Sequence, residues 1–245
     1  MKKVLFIVIS LEVGGIENYL LRFIEFTKKR NIKPVILCKR GVGGQLEDKY
    51  LALGVRIEKI KIYHFPILSF VKFYRFLKQE NFNAVCDFTG NFAGITLKVS
   101  KLAGIEKRIV FYRRSTNPFK EDSIRLRYNK WLNKLTFNNS TIILSNSYDA
   151  LDFFYNNKNT KTKKFKVIRN GLPLNKFNNK VNISELRRSL GIPENAFVIG
   201  HVGRFHKDKN HKTIVCLELE FLCTFFHDKK HFLKILNNYY IFHNL

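Results

Sequence analysis

Acidic residues are scarce in this sequence: 19 Asp and Glu stand against 44 Lys and Arg, giving a formal net charge of +25 over 245 residues. A surface this basic attracts polyanions such as phosphorylated small molecules, anionic lipid headgroups or nucleic acid. Net charge does not choose among them, and a codon bias towards Lys, Asn, Ile and Phe is a further source of it. Cysteine is also sparse. Cys38, Cys86, Cys216 and Cys223 form no CxxC pair and no His/Cys cluster at zinc spacing, which excludes a zinc module and points to free thiols in a reducing compartment. No metal and no cofactor is expected. Long apolar runs are missing too: nothing reaches the roughly 18 residues of a membrane span. The start "MKKVLFIVIS" imitates a signal peptide, but its apolar run is short and no A-x-A site follows, so it reads as a buried strand. What remains is a globular mixture, 45% hydrophobic and 26% charged, that can supply a sizeable core.

The apolar pattern alternates between strand and helix. Val4 to Ile9 is a continuous run of strand length, as expected of a parallel strand covered on both faces. Gly14 and Gly15 turn the chain, and Leu20, Phe23, Ile24 and Phe26 then recur at roughly helical spacing before a second strand at Pro34 to Leu37. A glycine turn of this kind places backbone N–H groups at a helix N-terminus and at the carboxyl end of the sheet, where open α/β folds bind ligands. Further helices are expected around Gln45 to Leu53, in "PILSFVKFYRFLKQE" opened by Pro66, in "AGITLKVSKLAG" closed by Gly104, in "DSIRLRYNKWLNKL", and in "SYDALDFF" capped by Ser147. The strands "VRIEKIKI", "NAVCDF", "KRIVFY", "STIILSNS" and "KKFKVIRNG" separate them, the last ending in an Asn-Gly turn. In "DSIRLRYNKWLNKL", Ile124, Tyr128, Trp131 and Leu135 share one narrow stripe, and Arg125, Arg127, Lys130 and Lys134 make the other face basic.

The pattern predicts an α/β protein whose residues 1–171 form a parallel-sheet domain. Residues 172–196 read as a linker with a short helix, "SELRRSLG", started by a Ser cap. Residues 197–215 begin a second sheet, and 216–245 form a divergent tail.

Four segments in this order are similar to retaining glycosyltransferases of family 4: "GGIEN", "SNSYDALDFF", "VIRNGLPLNKF" and "IGHVGRFHKDKNH". The resemblance spans residues 1 to about 215 and implies the GT-B arrangement, in which two Rossmann-like domains face each other across a cleft. It implies sugar transfer from a nucleotide-sugar donor to an envelope-glycan or lipid-linked acceptor in surface polysaccharide biosynthesis. Arg204 and Lys209 match the family's diphosphate-binding Arg and Lys, which hold the leaving group's developing charge without reorganising. Gly14 and Gly15 match the glycine loop facing the donor phosphates. Glu17 fits the G-G-x-E pattern and equally suits the first turn of any helix. Asn170 and Gly171 are possible ligand contacts or a plain turn.

Two departures stand out. Many relatives carry a donor-contacting histidine where this chain has Phe111, Tyr112, Arg113 and Arg114, so no catalytic residue is carried over. Arg113 and Arg114 are candidates for holding an acceptor phosphate, with a surface basic pair as the commoner explanation. The family's E-x7-E glutamates are also missing, since Glu218 and Glu220 come too early and at the wrong spacing. From Cys216 the sequence changes character, which raises the expectation of a truncated or frameshifted product that is inactive alone, unless a partner chain supplies the rest.

Membrane contact is expected to be peripheral. In "FPILSFVKFYRFLKQENF", Phe70, Phe73 and Leu77 oppose Lys72, Arg75 and Gln79; this suits an ordinary domain helix as well as one docking on the cytoplasmic leaflet. The corresponding location is the cytoplasm, at the inner face of the membrane. Three readings remain open: an active transferase, a non-catalytic remnant that binds membrane, acceptor or a partner, and a nucleic-acid binder. The last is disfavoured by the lack of zinc-finger or RNP patterns and by evenly spread charge.

Overall fold

A computed structural model describes residues 1–62, 67–114, 122–155, 162–171 and 181–196, with the single positions 174, 198, 210 and 213. The chain divides into two compact units, Met1–Gly171 and Leu172–Leu245. The first is built on seven strands: β1 (Lys2–Val8), β2 (Ile32–Cys38), β3 (Arg56–Lys59), β4 (Ala84–Asp87), β5 (Lys107–Tyr112), β6 (Ile142–Ser145) and β7 (Phe165–Val167). They form one sheet in the order β3-β2-β1-β4-β5-β6-β7, with every pair parallel. The order reverses between β1 and β4, so the loops leaving those strands diverge and open a crevice at the sheet's carboxyl end.

Among the described residues six helices connect the strands: α1 (Gly15–Thr27), α2 (Glu47–Ala52), α3 (Ile67–Glu80), α4 (Gly94–Leu102), α5 (Ser123–Asn139) and α6 (Tyr148–Tyr155). A 3-10 turn, Gly90–Ala93, leads into α4. Strand side chains alternate between the two faces of the sheet. Leu5, Ile7, Val35, Leu37 and Val85 therefore share one buried cluster with Phe73, Leu77, Leu97 and Phe154. Phe6, Val8, Ile36 and Cys38 join another with Leu20, Ile24 and Tyr50. The unbroken apolar run of β1 is thus a strand covered on both sides, in a Rossmann-like α/β domain.

Several sequence expectations need correction. Phe26 is 65% exposed, and α1 buries Leu20, Ile24 and Thr27 instead. The stripe read in α5 is only half covered, at Tyr128 and Leu135. Ile124 is 82% and Trp131 51% exposed, while Asn129, Leu132, Thr136 and Asn139 face inward. An apolar stripe ordinarily faces the core, but α5 packs against α4 and the 90–93 turn, where small and polar groups fit better than rings.

In the second unit, α7 (Ile183–Ser189) is capped by Asn182, whose side chain accepts from the Glu185 amide, and not by the expected serine. Ser147 does cap α6, accepting from the Ala150 amide at 3.2 Å. Pro66, the strand read at residues 198–202 and the tail at 216–245 lie largely or wholly outside the described residues.

Candidate functional site

The site is assembled where β1, β4, β5 and β7 end. Beyond Val8 the chain runs through buried Ser10 and Leu11 to Gly14, which caps α1 in extended backbone at φ −157° and ψ 171°. Any residue can adopt that conformation, and what a Cβ there would crowd is the movable end of a side chain. A Cβ there would meet Glu17 Oε2 at 2.4 Å, whereas one on Gly15 would meet no atom of the described residues within 4 Å. Glu17 accordingly folds back towards the positive end of the helix, where a carboxylate is favoured. Asn18 tightens the same turn, donating through both its amide (3.1 Å) and Nδ2 (2.9 Å) to the Gly14 carbonyl. The Tyr50 hydroxyl fixes the helix from below by donating to the Glu17 carbonyl at 2.7 Å.

The loop after β2 holds the loop after β1. The Leu11 amide donates to the Gly43 carbonyl (3.1 Å) and the Leu46 amide to the Leu11 carbonyl (2.9 Å). Gly44 is indispensable to this contact, because a Cβ would lie 2.3 Å from the Leu11 carbonyl carbon and 2.4 Å from the Glu12 nitrogen, both backbone. In the sequence this contact is carried by the segment "GVGG" just before α2. The paired glycines were the available signal, but close approach to a segment some thirty residues away is not visible in a local pattern.

Arg113 and Arg114 follow β5 and diverge. The Arg113 guanidinium lies 3.9 Å from the Tyr19 ring centroid and 5.2 Å from that of Phe111, a cation–π arrangement. Its Nη2 donates to Asn170 Oδ1 at 2.6 Å, which joins α1, β5 and the end of β7. Its Nη1 is buried without a hydrogen-bond partner. Burial pushes its pKa down, and the Arg22 charge adds to this against the opposing pull of Tyr19. Arg114 instead donates from Nη2 to Asn91 Oδ1 at 3.0 Å and lies 5.5 Å from the Phe92 ring centroid.

Behind Asn91 is a buried polar network that the sequence did not disclose. Asp87, fully buried at the end of β4, accepts from the Thr89 amide (2.7 Å), Thr89 Oγ1 (2.6 Å) and Thr96 Oγ1 (2.5 Å). Lys39 at the end of β2 approaches Asp87 at 4.0 Å and donates to the Phe92 carbonyl at 2.9 Å. Burial pushes the Lys39 pKa down while Asp87 pulls it back up. An ion pair withdrawn from water needs such extra hydrogen bonds to be tolerated. Here they fix the turn that presents Asn91. The pattern "DFTGN" contains Asp87, Thr89 and Asn91, but Thr96 belongs to α4 and Lys39 follows β2.

The structure thus groups Gly14, Gly15 and Glu17 in one turn, with Arg113 and Asn170 joined to each other over Tyr19. Arg114 belongs to a separate arm through Asn91. Gly171 follows Asn170 in open space, where a Cβ would meet no atom of the described residues within 4 Å. Arg204 and Lys209 lie outside the described residues. Among the described residues no cluster of His, Cys, Asp and Glu is arranged to hold a metal ion.

Known proteins share this architecture. The chain is similar to EpsF of Bacillus subtilis, which carries a glycosyltransferase name, at 26% identity over 223 residues, covering 88% of this chain and 57% of EpsF. Among solved structures, Anabaena HepE in complex with UDP-glucose superposes with a TM-score of 0.65 at 19% identity, covering 86% of this chain and 56% of HepE. A glycosyltransferase from Rickettsia africae gives 0.60 at 16% identity, covering 84% and 53%. The chain therefore spans little more than half the length of these relatives. Its residues 13–176 match the pattern of Glycosyltransferase Family 4, and the chain belongs to that family.

Proposed function

We propose that this chain carries the acceptor-side domain of a retaining glycosyltransferase that moves a sugar from a nucleotide-sugar donor to an envelope-glycan or lipid-linked acceptor in surface polysaccharide biosynthesis. The observation that carries this reading is the N-terminus of α1, with Gly14 and Gly15, placed beside the β1/β4 crevice of a parallel sheet in a chain of this family. Breaking a glycosidic bond to a nucleoside diphosphate leaves negative charge on the departing oxygen. Backbone N–H groups and fixed cations stabilise that charge without reorganising. Gly14 and Gly15 provide the close approach, and Arg204 and Lys209 provide the cations. Arg113, Arg114, Glu17, Asn170 and Gly171 are the groups proposed to meet the donor sugar or the acceptor. The complexes of HepE with UDP-glucose, and with UDP and glucose, support a nucleotide sugar as the donor class.

In this reading residues 172–196 link the domains and 197–215 open the donor-binding one. Residues 197–215 contain no glutamate, and so no E-x7-E carboxylate pair of the donor-binding domain to position the donor. Diphosphate binding is then expected of this chain alone and sugar transfer is not, since transfer needs both walls of the cleft. Fusing the remainder of a relative's donor domain after residue 215, so that Arg204 and Lys209 stay this chain's own, is the test. Transfer from UDP-glucose should appear and fall by about 100-fold with Arg204→Ala. Rapid transfer by residues 1–245 alone would refute the division of labour.

Attachment to the inner face of the cytoplasmic membrane completes the reading. No helix among the described residues is long and apolar enough to cross a membrane. However, α5 exposes Ile124 and Trp131 among Arg125, Arg127, Lys130 and Lys134, and α3 exposes Leu68 beside Lys72 and Arg75. Apolar anchors among cations suit an anionic interface, each cation adding about 1 kcal/mol near the surface. Flotation with anionic liposomes should be lost at high salt. Equal recovery with neutral lipid would refute it.

A further inference from the structure

A cleft of about 400 Å³ opens between α5 and α6, away from the α1 turn. That volume falls within the range of small-ligand sites, about 300–1,000 Å³. Its lining includes Leu126, Asn129, Lys130, Asn133, Phe153 and Tyr155. Phe153 is 44% exposed and braced edge-on by Phe154, with centroids 4.9 Å apart. Asn129 is buried, and its Oδ1 is used by Asn91 Nδ2 at 3.2 Å, which leaves its own amide nitrogen for an occupant. The Tyr155 hydroxyl is held 2.7 Å from the Tyr112 hydroxyl. Asn133 accepts from Tyr112 at 3.3 Å and donates to the Phe154 carbonyl at 3.4 Å. The walls are therefore set before any ligand arrives, which lowers the ordering cost of binding.

A second observation ties this cleft to the sheet end. Asn91 accepts from Arg114 at 3.0 Å and donates to Asn129 at 3.2 Å, while its carbonyl accepts from Thr136 Oγ1 at 3.0 Å. The cleft floor and the arginine after β5 are two ends of one buried amide relay.

The geometry points to a saccharide subsite: the α5–α6 cleft binds a neutral sugar unit, and the Asn129–Asn91–Arg114 relay couples it to the end of β5. A pyranose has an apolar C–H face that packs on an aromatic ring and a rim of hydroxyls that donate and accept. Phe153 supplies the ring, and Asn129 and Lys130 supply donors. A phosphorylated ligand would call for several cations, and Lys130 is the one charged residue of the lining among the described residues. An acyl chain would leave the Asn129 amide desolvated and unpaired, which is costly. The choice of a glycan unit of the acceptor rests on the glycosyltransferase reading above.

The test is titration of residues 1–245 with the methyl glycosides of glucose, galactose and N-acetylglucosamine, with maltose, and with inorganic phosphate, followed by amide chemical shifts. At least one sugar should give saturable shifts at residues 126–133 and 153–155 and at Asn91 and Arg114. Phe153→Ala and Asn129→Leu should each weaken it by about tenfold. Lys130→Ala, at an exposed position, should weaken it by about threefold without affecting the fold. Absence of saturable shifts with every sugar, shifts with phosphate alone, or sugar binding indifferent to Phe153→Ala and Lys130→Ala would overturn the subsite. A parallel UDP titration separates the two ideas. UDP binding without sugar binding removes the cleft and keeps the transferase reading; sugar binding without UDP binding keeps the cleft and removes the donor site.

Discussion

Helices α3 and α5 look alike as sequences, each an apolar stripe flanked by Lys and Arg, yet they are buried in opposite senses. In α3 the stripe is the core: Phe73 and Leu77 are 0% and 1% exposed, and Lys72 and Arg75 face outward. In α5 the outer half of the stripe is exposed, Ile124 and Trp131 pointing to solvent with Trp131 stacked on half-buried Tyr128 at 5.9 Å, and Thr136 and Asn139 are inside. The partner decides. Phe73 and Leu77 share a cluster with Leu5, Val35 and Val85 of the sheet, which offers flat apolar surface. α5 meets α4 at Gly94, where a Cβ would lie 3.0 Å from Thr136 Oγ1 and 3.1 Å from Leu135 Cβ. Two backbones that close admit small and hydrogen-bonding side chains but not rings. Periodicity identifies a helix, and the surface it lands on selects the buried face.

The sharpest way to break this contrast is Phe73→Ala. Removing a fully buried ring from the α3 stripe should cost about 3–5 kcal/mol in urea unfolding, from lost transfer free energy plus the cavity left behind. A loss below about 1 kcal/mol would mean that α3 is no better packed than α5's outer stripe.

Gly94→Val tests the other side. Overpacking the α4–α5 contact should cost about 1–3 kcal/mol, read as a lowered midpoint of thermal unfolding. A neutral result would show that the helices are not held at close range.

The end of α3 sharpens the comparison through pH. Glu80 accepts from Arg56 Nη1 (3.0 Å) and Nη2 (2.9 Å) and from Lys3, tying α3 to β3 and β1. The Arg56 hydrogen bonds, then that of Lys3, hold its carboxyl below the usual range. A depressed folded pKa means that the unfolded chain takes up its proton first as pH falls. This contribution is therefore complete above the ordinary carboxylate range and is lost as pH falls through the folded value. Because the pair is partly exposed, it should amount to less than about 1 kcal/mol. Glu80→Gln should remove that part of the acid sensitivity in denaturation curves taken across acidic pH; an unchanged pH profile would rule out the assignment.

The smallest expected effect is the most discriminating. Ile124→Ser and Trp131→Ser should each change stability by no more than about 0.5 kcal/mol, as surface substitutions do. A loss comparable to that of Phe73→Ala would place the α5 stripe in a core.

Much of the first domain was legible in the sequence because both faces of its central strands are covered. Runs such as "VLFIVI" admit few alternatives, and the strand–helix alternation leaves a parallel sheet as the simple solution. The α1 turn was legible because Gly14, Gly15 and Glu17 are adjacent. What could not be read depends on partners distant in sequence: Gly44 against Leu11, Lys39 against Asp87, Asn91 between Arg114 and Asn129. Adjacent Arg113 and Arg114 read as one basic pair. Leaving the strand, they part, one towards Tyr19 and Asn170 and the other towards Asn91.

The central claim is that the Gly14–Gly15 turn faces the phosphates of a nucleotide donor, and an amide-resolved titration of residues 1–245 with UDP tests it most directly. The account predicts saturable, salt-weakened shifts centred on Gly14, Gly15 and Glu17 and on Arg204 and Lys209, reduced by Arg204→Ala or Lys209→Ala. Saturable UDP binding that leaves the amides of residues 14–17 unmoved, or no binding at low salt, would contradict it.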